Sequence, residues 1–107
     1  MLQTSDVFWC YCTAQNTEEA KKIGRAAVEG KLAACANILG SGTSIYLWEG
    51  QVKESDEAYY VMKTTGAKVN LLKALVEKES SYETPCFLAL KVEMGLENYL
   101  KWLRTSV

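Results

Sequence analysis

Residues 32–50 constrain the fold of this chain more than any other stretch. Two apolar runs, Leu32 to Leu39 and Ile45 to Trp48, flank a Gly-Ser-Gly break. The pair Glu49-Gly50 follows, and then a second run rich in β-branched and aromatic residues, Val52 to Thr64. Such residues suit a half-buried pleated surface, and a two-residue turn that ends in glycine supplies the positive φ of a tight hairpin. The pattern therefore predicts one long β-hairpin.

The length of this hairpin has a consequence for assembly. Its second arm, Gln51 to Thr64, would be about 45 Å long at about 3.3 Å per residue. A compact domain of this length has a radius of gyration of only about 13 Å. Part of the hairpin is therefore expected to bend or to project beyond its own core. A projecting apolar strand needs another chain to cover it.

The rest of the chain predicts helices that pack on the same sheet. Asn16 or Thr17 can cap a first helix that Gly30 ends, and small apolar residues at helical spacing give it a narrow buried stripe (Ala20, Ile23, Gly24, Ala27). The other predicted elements are a strand from Asp6 to Thr13, a helix from Ala67 to Glu79, a strand from Cys86 to Glu93 and a short helix from about Leu96 to Leu103. The order β-α-β-β-α-β plus a helix is the ferredoxin-like α+β sandwich with an antiparallel sheet. We expect one domain over residues 1–107.

Both faces of the predicted first strand are apolar, with Val7, Trp9 and Tyr11 on one side and Phe8, Cys10 and Cys12 on the other. The strand from Cys86 to Val92 is apolar on both faces as well, Lys91 excepted. Strands of this kind are covered on both faces, and one subunit has too few helices for that. The pattern favours an oligomer that packs its sheets inward.

Seven short motifs follow the order of the CutA family of divalent-cation-tolerance proteins, which the chain resembles over nearly its whole length. They are Cys12 to Ala14, Leu32 to Ile38, Thr43 to Tyr46, Trp48 to Gly50, Lys63-Thr64, Tyr82 to Pro85 and Tyr99 to Trp102. The resemblance implies a ferredoxin-like subunit with strand order 4-1-3-2 and a homotrimer. It also implies a function linked to copper or other divalent metal ions.

Composition excludes several other classes. The net charge is −1, with 12 basic and 13 acidic residues well mixed, and this disfavours nucleic acid or an anionic membrane as a partner. No apolar run approaches the 18 or so residues of a membrane span, and no basic leader is evident at the N-terminus. The cysteines lie in apolar strands rather than in loops, which favours reduced thiols in a cytoplasmic protein.

Catalysis is the least favoured function. The chain has no histidine, which removes the commonest general base and the commonest metal ligand. No glycine-rich phosphate loop is present, since the Gly-Ser-Gly break lacks a following helix and lysine. We therefore expect a protein that is not an enzyme.

The thiols are the candidate metal ligands, because sulfur is soft and selects copper(I) or zinc. By the implied strand order, the end of the first strand meets the start of the last. Cys12 and Cys86 would then pair across strands, with Cβ atoms about 4.5–5.5 Å apart, and could share one copper ion. A slip of one residue in register would send one sulfur to the other face. The alternative is that the cysteines are small buried hydrophobes.

Members of the CutA family often carry His-Pro-Tyr before the last strand and a glutamate just after its proline. Ser80-Ser81-Tyr82 and Cys86 stand at those places here. Cys12 stands where the family's Cys-Thr-Ala motif has a cysteine that has been proposed as a metal ligand. The loss of the histidine and the replacement of the carboxylate by a thiol favour copper(I), or no metal, over copper(II).

Four further residues are candidates for a trimer interface or an inter-subunit cleft: Tyr46, Trp48, Lys63 and Tyr82. Aromatic anchors at an interface are the commoner use of such rings, and a ligand pocket is the alternative. Glu54, Asp56 and Glu57 suit either a hard cation or a solvated turn, and the turn is favoured because no calcium-loop spacing is present. Two functions therefore stay open. One is a metal-binding trimer, and the other is a non-catalytic trimeric scaffold or small-molecule sensor that uses inter-subunit clefts.

Overall fold

The computed structural model describes residues 2–107, and its elements follow the predicted ferredoxin-like α+β order. The strands and helices are β1 (Val7–Ala14), α1 (Thr17–Glu29), β2 (Cys35–Trp48), β3 (Gln51–Thr65), α2 (Val69–Glu79), β4 (Phe87–Lys91) and α3 (Glu97–Thr105). The fold prediction is confirmed, with small changes at the boundaries. The last strand is shorter than predicted, because its ladder with β1 begins at Phe87 and ends at Lys91.

One antiparallel sheet in the order β2-β3-β1-β4 forms the centre of the subunit. The two central strands, β1 and β3, pair from Val7 opposite Thr65 to Ala14 opposite Ala58. The hairpin strands β2 and β3 pair along nearly their whole length and extend beyond β1. The principal dimensions are 43 × 27 × 23 Å and the radius of gyration is 14.3 Å, so the hairpin projects as its length predicted.

The backbone of the hairpin depends on residues with positive φ. Glu49 and Gly50 have φ values of 50° and 77°, the signature of a type I′ turn, whose twist matches that of the strands. The Gly-Ser-Gly break in the apolar pattern does not interrupt the first arm, because β2 runs through it as one strand of the predicted long hairpin. The register shifts between Ile38 and Gly40, and Gly40 has a φ of +116°. The glycine therefore forms a β-bulge that bends the strand without ending it.

Helices α1 and α2 cover one face of the sheet and enclose the core. The side chain of Asn16 accepts a hydrogen bond of 2.9 Å from the Glu19 amide, and Gly30 follows the last residue of α1. The buried stripe of α1 is the predicted one (Ala20, Ile23, Gly24, Ala27). It packs on even-numbered side chains of β1 and β3, including Cys10, Cys12 and Tyr60. In residues 2–107 no helix has the length and apolar character that crossing a bilayer requires.

The opposite face of the sheet, which we call the open face, is covered only at one end. Leu103 of α3 packs there against Val7 and Ala34. Further along this face Leu88 and Leu90 of β4 are 59% and 53% exposed, beside Trp9. The far part of the hairpin also exposes apolar side chains (Ile45, Leu47, Val52). The described subunit thus leaves much of an apolar sheet face in contact with solvent.

Candidate functional site

A pocket of about 520 Å³ opens on the open face, between the end of β1, the hairpin and the loop before β4. This volume lies within the range of about 300–1,000 Å³ that is typical of small-molecule sites. The strands position its side chains by parity, since residues two apart in a strand point to the same face. Tyr11 and Thr13 of β1 and Ser55 and Glu57 of β3 line it in this way.

Aromatic rings form much of the wall. Tyr46 and Trp48 come from β2, Tyr82 comes from the loop before β4, and Tyr11 comes from β1. The structure thus brings together three of the four residues predicted for an interface or cleft. Their role at a subunit boundary stays a prediction.

Hydroxyl groups hold the wall on the hairpin side. Ser55 donates a hydrogen bond of 3.2 Å to the hydroxyl of Tyr46. Ser44 shares a hydrogen bond of 2.7 Å with the hydroxyl of Tyr59, the ring that would lie 2.7 Å from a Cβ at Gly42. These contacts join β2 to β3 next to the pocket and limit the positions that its rings can take.

Two carboxylates belong to the polar part of the lining. The hydroxyl of Tyr82 donates a hydrogen bond of 2.7 Å to Oε2 of Glu57, and Glu83 adds a second carboxylate. Burial raises the pKa of Tyr82, and its hydrogen bond to Glu57 and the charge of that carboxylate raise it further. The pKa of Tyr11 is raised by burial first, with Glu57 again contributing. Among the pocket residues of the described chain there is no lysine or arginine, so the pocket is electronegative.

The sequence predicted a solvated turn for Glu54, Asp56 and Glu57, and this is wrong because all three lie within strand β3. Alternation along the strand separates them. Glu57 lines the pocket, whereas Glu54 and Asp56 do not. One carboxylate of the three therefore belongs to the site.

The thiols of Cys12 and Cys86 do not meet as the sequence predicted. Cys12 lies opposite Phe87 in the β1–β4 ladder, so the direct pairing with Cys86 is wrong by one residue. Because neighbouring residues of a strand point to opposite faces, Cys12 enters the core while Cys86 lines the pocket. No group of three or more Cys, Asp or Glu side chains suited to a metal ion occurs within residues 2–107. Metal binding by either thiol stays a prediction.

The environments of the thiols differ. Cys10 and Cys12 are fully buried, and burial raises the pKa of each to about 12. Cys86 is half-buried, and burial is the main cause that raises the pKa of its thiol. The alternative prediction of small buried hydrophobes describes the positions of Cys10 and Cys12. Cys86 is the thiol that a solute in the pocket would meet.

Lys63 is the one predicted cleft residue outside the pocket. It lies on the open face opposite Trp9 and Cys35, and its Nζ donates a hydrogen bond of 3.1 Å to the hydroxyl of Tyr99. This bond is the main cause of the raised pKa of Lys63. The ammonium also lies 5.4 Å from the centre of the Tyr99 ring, so Lys63 fixes α3 to the sheet. A role in subunit contacts stays a prediction.

Sequence reasoning missed the contribution of Tyr11, Ser55 and Glu57 to the pocket. A signal existed for Tyr11, which lies with Val7 and Trp9 on the apolar face of β1 that no helix was predicted to cover. None existed for the contact between Glu57 and Tyr82, because the two residues are 25 positions apart and belong to no common motif. Only the fold brings them together.

These features define a class of protein: a ferredoxin-like α+β subunit with an apolar open face, a projecting hairpin and an acidic, aromatic pocket. The family model described as CutA1 divalent ion tolerance protein matches residues 8–106. The chain belongs to this CutA1 family.

Relatives and solved structures agree with this assignment. The chain is 37% identical over 97 residues to the divalent-cation tolerance protein CutA of Archaeoglobus fulgidus, covering 91% of this chain and 94% of that one. The Cut A1 structure from Thermus thermophilus superposes with a TM-score of 0.91 at 38% identity, over 94% of this chain and 97% of that chain. The animal relatives are longer. The chain is 41% identical to the Protein CutA homolog of Xenopus laevis over 93 residues, which are 87% of this chain but 62% of that protein.

Proposed function

We propose that the protein contributes to divalent-cation tolerance by binding a metal ion, with copper as the first candidate, and that it is not an enzyme. Membership of the CutA1 family supports a role in divalent-cation tolerance. The observation that supports metal binding is the pocket, which is lined by Cys86 together with the carboxylates of Glu57 and Glu83. Sulfur favours copper(I), and the carboxylates supply the negative field that attracts a cation.

Cys86 is the first ligand in this proposal. A metal binds the thiolate, so it must displace the proton that burial holds on Cys86, and its affinity should rise with pH. The side chain of Cys12 lies on the face of the sheet opposite the pocket. It could bind the same metal ion as Cys86 only if the start of β4 moved. Cys12 stays the second predicted ligand, and we expect its substitution to weaken metal binding less than substitution of Cys86.

We further propose a homotrimer. Exposed apolar side chains on the open face and on the hairpin support it, since a monomer rarely exposes so large an apolar area. The resemblance to the CutA family supplies the number of subunits. In such an assembly Tyr46 and Trp48 would approach a neighbour, and the pocket would lie beside a subunit boundary.

A cytoplasmic location is proposed from the cysteines. All four are free, which suits a reducing compartment. Fractionation of the source cells, followed by mass spectrometry of the thiols, tests this directly.

Copper(I) competition titration tests the metal proposal. Under reducing conditions the protein competes with a chelator of known affinity, and the parent is compared with Cys86→Ser, Cys12→Ser and Cys35→Ser. We expect Cys86→Ser to weaken binding at least about tenfold, a difference of about 1.4 kcal/mol. Cys35→Ser is the matched control, because Cys35 does not line the pocket, and it should bind as the parent does. A parent that binds no copper contradicts the proposal, and unchanged binding by Cys86→Ser contradicts the site.

A small-molecule sensor is the second candidate function. The volume of the pocket and its aromatic wall favour it, because a metal ion alone needs neither. A trimer that binds an organic ligand but no metal ion would support the sensor function over the metal-binding function.

A further inference from the structure

The balance of charge in the pocket is unusual for a surface depression. Two carboxylates line it, and no lysine or arginine does so within the described chain. Neither of the salt bridges found in residues 2–107 involves Glu57 or Glu83. A cation that enters the pocket would therefore meet a charge that the protein itself does not neutralise.

Glu57 is held in place for such a partner. Its Oε2 accepts the hydrogen bond from Tyr82, and no hydrogen bond to its Oε1 is found within residues 2–107. The carboxylate is thus fixed by one oxygen while the other remains open to a ligand. A fixed counter-ion loses little conformational freedom when it binds, which favours affinity.

The walls select the kind of cation. Tyr46, Trp48 and Tyr82 surround the same space, and aromatic rings attract organic cations whose charge is spread over an apolar body. A hard metal ion would need several oxygen ligands at short distance, and the described residues form no such group. An anion would be repelled by both carboxylates.

We infer that this pocket binds a small organic ammonium ion, of the quaternary or alkylated amine class, with Glu57 as its counter-ion and Tyr46, Trp48 and Tyr82 as its walls. The inference goes beyond the proposed metal function and does not depend on it, because copper would bind the sulfur of Cys86. The two cations share the pocket and should compete for it.

Calorimetric titration with choline and its neutral isostere 3,3-dimethylbutan-1-ol tests the inference. The two probes have nearly the same shape and differ by one charge. We expect the parent to bind choline at least about tenfold more tightly than the isostere, which corresponds to about 1.4 kcal/mol. Glu57→Gln should reduce this preference, since the amide can still accept from Tyr82 but carries no charge, and only Glu83 then remains as a carboxylate in the lining. Trp48→Leu should weaken the binding of choline more than the binding of the isostere.

Glu54→Gln is the matched control, because it removes the same charge from the same strand at a residue outside the pocket. It should retain the preference of the parent. Light scattering and thermal unfolding verify that each variant keeps the assembly and the fold of the parent.

Three outcomes would overturn the inference. They are equal binding of the two probes, an equal effect of Glu54→Gln and Glu57→Gln, and no binding of choline by the parent. The metal proposal fails separately. If choline binds with the expected preference while copper does not bind, the metal function is wrong and the ammonium site stands.

Discussion

At the residue scale, the thiols show how one position along a strand decides chemistry. Cys10 and Cys12 point into the core, and burial raises the pKa of each to about 12. The thiolate is the form that reacts with electrophiles and binds metal ions. At pH 8 both residues therefore stay protonated and enclosed.

Alkylation with iodoacetamide at pH 8 should separate the cysteines. We expect Cys10 and Cys12 to stay unmodified in the native protein, because they are buried and protonated, while the half-buried Cys35 and Cys86 react. Unfolding in guanidinium serves as the control and should expose all four thiols. Peptide mass spectrometry after timed quenching gives the order of modification. Reaction of native Cys12 as fast as Cys35 would contradict its placement in the core.

The sequence predicted the right strand for Cys12, but Cys86 precedes β4 rather than starting it, and the predicted register is wrong by one residue. Alternation is a strict rule within each strand, yet it does not align one strand with another. The alignment is decided by packing, since Phe87 rather than Cys86 stands opposite Cys12 and packs against the core. The register of β4 on β1 therefore depends on how the whole core packs.

At the scale of elements, helix α1 lies unusually close to the sheet. A Cβ built at Gly24 would lie only 2.8 Å from the Cβ of Ala36 on β2. Real Cβ atoms essentially never approach so closely, so the helix or the strand would have to move. The glycine is therefore needed for the packing, although it weakens the helix itself.

Substitution of Gly24 by alanine should destabilise the protein by about 1–3 kcal/mol, the usual cost of overpacking a core. Helix propensity alone predicts the opposite, a gain of about 1 kcal/mol. Urea denaturation followed by circular dichroism measures the difference in free energy of unfolding. Lys22→Ala, at an exposed position of the same helix, is the control and should change stability by less than about 0.5 kcal/mol. A Gly24→Ala variant as stable as the parent would rule out the close contact.

Local signals explain why the elements could be predicted. The cap at Asn16 and the turn at Glu49-Gly50 act over a few residues, and the structure confirms both. The bulge at Gly40 was not predicted, because glycine permits several backbone conformations and the sequence does not say which one is used. Because β2 pairs with β3 on both sides of Gly40, the strand continues through the segment and the glycine forms a bulge.

At the scale of the whole molecule, the β-α-β-β-α-β order predicted a ferredoxin-like antiparallel sheet, and the family resemblance supplied its strand order. The pocket could not be predicted in the same way. Its walls come from β1, the hairpin and the loop before β4, and no sequence pattern joins these segments. The contact of Tyr82 with Glu57 follows from the fold and then defines the site.

Our central proposal is that further copies of the chain cover the exposed apolar side chains of the open face and of the projecting hairpin, with the pocket beside the subunit boundary. Leu88 and Leu90 are 59% and 53% exposed in one subunit, and Leu47 at the far end of the hairpin is 71% exposed. Burial of such side chains stabilises an assembly by about 25 cal/mol per Å² of apolar surface removed from water. An isolated subunit would leave this surface exposed.

Native mass spectrometry of the protein at micromolar concentration tests the claim most directly, because it reports the number of subunits and any retained ligand together. The account predicts one dominant species with three times the 11.9 kDa mass of the chain. Light scattering on a size-exclusion column under the same conditions should give the same mass. A dominant species at 11.9 kDa would contradict the account.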